Sequence, residues 1–167
     1  DNLQNDRRAF RHEDFIAELF RADFVVGNRT GPAFFAVESE PLGTVIPLIE
    51  NFDHEYAFLG NDGPVFYFRT SLNAPKKRII AIDIRNPKPE AYREVLAQQN
   101  EVMDNISVIG NQFVVETLKD AKTEVNLYAL DGRHIRRLAL PGIGTASGFS
   151  GKRSDTETFY AFSSFNT

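Results

Sequence analysis

The strongest constraint on this chain is an internal repeat: an apolar stretch, a Gly-Asn pair, then a second apolar stretch. Residues 23–26 with Gly27-Asn28 lead into Ala33–Val37, and Tyr56–Leu59 with Gly60-Asn61 lead into Val65–Phe68. Ile106–Ile109 with Gly110-Asn111 lead into Phe113–Val115, and a looser fourth copy joins Ser147–Gly151 to Phe159–Phe162. The copies recur at intervals of roughly 30–50 residues, the period of a repeated supersecondary unit. Gly and Asn accept the positive φ of a two-residue hairpin, so each copy predicts two antiparallel strands.

Further strands follow. Arg78–Asp83 and Glu124–Leu130 read as third strands, and Ile135–Leu140, after the Asp131-Gly132 turn, as a fourth. Thr44–Ile49 and Arg93–Leu96 occupy the fourth-strand place in the earlier copies. Short strands in such units predict an all-β protein of β-propeller blades, about three to four of them here. A sandwich is the structural competitor, but in-phase recurrence of the turn chemistry favours blades. The first 22 residues differ: Phe10, Phe15, Ile16, Leu19 and Phe20 fall at helical spacing, so a short helix is expected there. The division is a helical or irregular segment at 1–22 and a partial propeller at 23–167.

Composition narrows the function. In 167 residues, 19 Lys plus Arg face 23 Asp plus Glu, a net charge of -4 that argues against a nucleic-acid footprint. The absence of cysteine rules out thiolate–zinc sites and thiol nucleophiles and points to the cytoplasm. No apolar run approaches the ~20 residues that cross a bilayer, so no membrane partner is expected. The opening Asp1-Asn2-Leu3, with neither Met nor a signal peptide, fits an excised domain. Fifteen Phe and no Trp suit packed sheet faces, and Phe66 or Phe68 is expected in the core.

No catalytic centre assembles from the motifs. Ser150 in Gly148-Phe-Ser-Gly151-Lys152 imitates a nucleophile elbow, but Lys stands where the last Gly belongs and a polar turn follows. His54, between Asp53 and Glu55, lacks the spacing of a metal site, because adjacent strand residues face opposite ways. His12 and His134 read as solvated, as do the basic knots Lys76–Arg78 and Arg133–Arg137. No cofactor is expected.

Three stretches carry a resemblance: Leu48–Tyr56 with Gly60–Phe68, Thr70–Pro75 running into Arg78–Asp83, and Ser150–Phe165. In this order and spacing they resemble the propeller of the prolyl oligopeptidases, serine peptidases that cut after proline. The resemblance implies a seven-bladed ring joined, in the same parent chain, to an α/β-hydrolase domain carrying Ser, Asp and His. It implies that the ring gates the active site, admitting short proline-containing peptides. No residue here matches the triad. By position Val108 is the implied contributor to the substrate pocket, against the competing reading of an ordinary core valine, and Ser107 would keep a central channel wet. A partial ring would expose blade faces and self-associate through them. The alternative is a stand-alone binding scaffold without activity.

Overall fold

The computed structural model describes residues 35–39, 44–49 and 53–165. The expected N-terminal helix and the first strand of the first copy lie outside them. Among the described residues, twelve strands form four antiparallel sheets. The first pairs β1 (Phe35–Ser39) with β2 (Thr44–Ile49). The second runs β3 (Tyr56–Asp62), β4 (Val65–Thr70), β5 (Arg78–Asp83) and β6 (Arg93–Leu96) in chain order. The third does the same with β7 (Met103–Ile109), β8 (Gln112–Lys119), β9 (Lys122–Ala129) and β10 (His134–Arg137). The last pairs β11 (Gly144–Ser147) with β12 (Ala161–Ser164).

Strand alternation explains why the sheets stack. Phe66 and Phe68 stand opposite Ile82 and Ile80, and all four side chains enter one cluster with Leu48 and Ile49. Tyr67, Ile79 and Ala81, on the other face, join Ile106, Val108, Phe113 and Val115 of the third sheet. Tyr67 meets the Phe113 ring edge-on, with centroids 5.3 Å apart. The third sheet repeats the pattern, burying Val114, Val125 and Leu127 against Ala146 and Phe149 of the fourth unit. Apolar residues therefore fill both parities of β4, β5 and β8, because each sheet has a neighbour on either side.

Three sequence expectations shift. Gly60-Asn61 is not the second hairpin's turn: Asp62 pairs with Val65, so Gly63-Pro64 makes it, with Gly63 at φ 55°. Gly followed by Pro suits a turn whose positive φ lies at the first central residue. Gly60, at φ 143°, instead takes a bulge where register slips between Phe58 and Gly60. Gly110 and Asn111 do form the expected turn, both with φ near 60° (58° and 59°). Thr44–Ile49 pairs directly with Phe35–Ser39, the second strand of the first copy, so it stands in third place and not fourth. In the fourth copy, residues 147–151 are no hairpin: β11 starts earlier, and a loop over 148–160 leads to β12.

Phe66 and Phe68 are each 1% exposed, so the core expectation holds for both. Phe66→Ala should lower the unfolding free energy of the intact protein by about 3–5 kcal/mol in denaturant titration. A loss below about 1 kcal/mol would contradict face-to-face burial of the sheets.

Candidate functional site

The second and third sheets converge at one edge, where β3 lies against β7. Gly60 of β3 faces Val108 of β7: a Cβ there would meet Val108 Cβ and Cγ2 at 3.8 Å, an ordinary contact, so it is the φ of 143° that calls for glycine. Val108, the pocket residue implied by resemblance, is 8% exposed and belongs to the core cluster between these sheets. Ser107, expected to face a wet channel, instead donates its hydroxyl to the Phe149 carbonyl and ties β7 to the loop over 148–160.

At the hairpin-turn end of the same two strands a single guanidinium joins three units. Arg153 Nη1 donates to the Asn61 carbonyl at 2.8 Å, and Nη2 to Asp62 Oδ1 at 2.8 Å. Nε donates to Asn111 Oδ1, while the Asn111 amide donates back to the Arg153 carbonyl. The loop carrying Arg153 has a stiff base. Asp155 Oδ2 accepts from the Lys152 amide at 2.7 Å, and the Asp155 amide donates to the Lys152 carbonyl. Beside this clamp opens a groove of about 610 Å³, floored by Ile109, Val114 and Phe149 and rimmed by Arg136 and Glu157.

A second polar tie crosses at the other end of the strands. Glu55 accepts from Arg69 Nη2 at 2.7 Å and lies 3.2 Å from Lys77 Nζ. The same Arg69 donates through Nη1 to the Asp104 carbonyl of β7. Burial pushes the Glu55 carboxyl up, but the Lys77 hydrogen bond and the Arg69 charge outweigh it and hold its pKa below the ordinary value. Glu116 has the opposite balance. It is 7% exposed in β8, and burial lifts its pKa, only partly offset by the hydrogen bond from Asn105 Nδ2 at 2.6 Å.

The other sequence candidates stay apart. His54 is exposed, and His134 contacts Asn126 and the Tyr128 ring. His12 lies outside the described residues. Ser150 sits in the exposed loop, its carbonyl accepting from Thr158. Lys77 and Arg78 pair with Glu55 and Glu94, and Arg137 with Glu124, so part of each basic knot is held in ion pairs, while Arg133 and Arg136 are exposed. Among the described residues, no group of three His, Asp or Glu could hold a metal. Sequence reasoning missed Arg153 and Glu116. The first has partners far away in the chain and left no local signal. The second did leave one, a carboxylate inside the apolar run Phe113–Thr117.

Antiparallel sheets stacked face to face, with inner edge strands touching, define a β-propeller segment. A family model described as the prolyl oligopeptidase N-terminal β-propeller domain matches residues 23–167. The chain is 34% identical over 122 residues to a prolyl endopeptidase of Elizabethkingia miricola, covering 73% of this chain and 17% of that one. It is 29% identical over 121 residues to a dual function macrocyclase-peptidase of Amanita bisporigera, covering 72% and 16%. A solved structure from a study of two prolyl endopeptidases superposes with a TM-score of 0.73 at 26% identity, over 81% of this chain and 20% of that one. Prolyl oligopeptidase B of Galerina marginata, bound to a 35mer substrate, gives 0.68 at 25% identity, over 81% and 20%. This chain belongs to the prolyl oligopeptidase propeller family, and it spans about a sixth of the length of the relatives it matches.

Glu116 supplies a pH test. Its raised pKa means that the folded state holds the proton more tightly, so the carboxyl's contribution falls as pH rises from the ordinary value of 4.5 through the raised one. Glu116→Gln keeps the acceptor for Asn105 and removes the charge. The variant should melt at a higher temperature than the parent at pH 7, with the gap closing below pH 4.5. A parent that melts higher at pH 7 would contradict this.

Proposed function

We propose that this segment is part of the substrate-gating ring of a serine peptidase that cleaves short peptides after proline. The observation that carries the proposal is the convergence of β3 and β7, whose contact makes a narrow inner wall in a chain of this family. Polar ties at both ends of that wall, through Arg153 and Arg69, keep the inner strands together. The ring acts as a filter and performs no chemistry. The proposed catalytic partner is an α/β-hydrolase domain of the same parent chain, carrying Ser, Asp and His. Val108 on β7 is the proposed pocket contributor, and a cytoplasmic location belongs to the same reading.

A relative solved with a bound 35mer substrate supports peptides, rather than folded proteins, as the substrates. Blade faces left uncovered would be the route to self-association. Ile143, Phe159 and Phe165 of the fourth unit are exposed, Phe159 by 82%.

The intact polypeptide bearing this segment should react with a fluorophosphonate serine probe. It should also release the fluorophore from a short peptide with proline before the scissile bond, while leaving a folded protein substrate uncut. A folded protein that neither takes the label nor cuts any proline peptide would overturn the proposal in favour of a silent scaffold.

A further inference from the structure

We infer that Arg153 is a specificity-determining latch: its three-way clamp sets how far the inner hairpin turns can part, and so which peptide lengths enter. This deepens the gating proposal and rests on it. Cohesion between neighbouring sheets comes mainly from apolar clusters, which are non-directional and tolerate small sliding. At the turn end of β3 and β7 the register is instead fixed by directional bonds from one planar cation. A guanidinium is suited to this, because its donors lie in a rigid fork that can serve several acceptors at once.

The geometry at this end is specific. Two donors reach the second sheet at Asn61 and Asp62, and a third reaches the third sheet at Asn111. The side chain belongs to neither sheet. It projects from the loop between β11 and β12, whose base is fastened to β7 by the Ser107 bond to Phe149. Removing this side chain therefore unties the two turns from each other and the second sheet from the fourth unit, while the backbone bond from the Asn111 amide to the residue 153 carbonyl and the Ser107 bond still hold the third sheet to the loop.

The clamp is also built to open. Arg153 is 36% and Asp62 53% exposed, so their attraction is screened by salt and contributes modestly. A device of that strength keeps the inner turns closed on average without freezing them. The tie at the opposite end, through Arg69 and Glu55, uses different residues and stays intact when Arg153 is changed.

The test compares kcat/KM of the intact peptidase for a short proline peptide and for one as long as the 35mer held by a relative. Arg153→Ala should raise the long-to-short ratio roughly three- to tenfold, the scale of losing exposed charge-assisted contacts. Arg153→Lys, which keeps the charge opposite Asp62 but not the fork, should fall between. Raising ionic strength should increase the ratio in the parent and leave Arg153→Ala unmoved. Amide exchange at Asn111 should quicken in both variants while β4 and β5 remain protected. Arg153→Lys, Asp62→Asn and the salt series carry the test if the Ala variant fails to fold. A merely structural role would lower stability and both rates together, and an unchanged ratio overturns the latch alone. A folded parent that cuts no proline peptide overturns the gating proposal and the latch with it.

Discussion

Burial on both faces is the constraint on which the rest depends. A sheet such as β3–β6, with Phe66 and Phe68 on one side and Tyr67, Ile79 and Ala81 on the other, cannot stand in water alone. Each flank needs a neighbour with the same property, and so the units stack. The stacking places edge strands β3 and β7 against each other and sends the hairpin turns to a common end. The narrow inner wall, the groove at its rim and the Arg153 clamp all follow from that one requirement.

Polar chemistry is then distributed around the stack, not through it. Arg69 and Glu55 tie one end of the inner strands, and Arg153, Asp62 and Asn111 tie the other. Apolar contact supplies cohesion while a few directional bonds supply register. Glu116 departs from the pattern: it is a carboxylate inside a buried strand, served by one hydrogen bond from Asn105. The division suits the proposed gating role, which asks for a rigid scaffold with a few directional ties at its edge.

Much of this architecture was legible in the sequence. The runs at Val65–Phe68 and Arg78–Asp83 are too short for helices and too continuous for a one-faced sheet, so they announce strands buried on both sides. Gly110-Asn111 announced its turn correctly, whereas the same pair at Gly60-Asn61 did not. There the downstream Gly63-Pro64 competes for the turn, and the earlier glycine serves a bulge at a positive φ of 143°. The fourth copy misled for a related reason: glycines at 148 and 151 punctuate a long loop that carries Arg153. The clamp could not be read at all, because Arg153 and its partners at Asn61 and Asp62 are brought together only by the stacking of three units. Val108 was implied as a pocket contributor by resemblance alone, and the structure places it in the core between two sheets.

The most direct test of the gating account is an experimental structure of the intact polypeptide with a proline-containing peptide bound. The account predicts a closed ring with β3 and β7 on its inner wall, and a hydrolase domain seated over one mouth with the peptide between them. An inner wall occluded by other parts of the chain, with the peptide bound elsewhere, would contradict it.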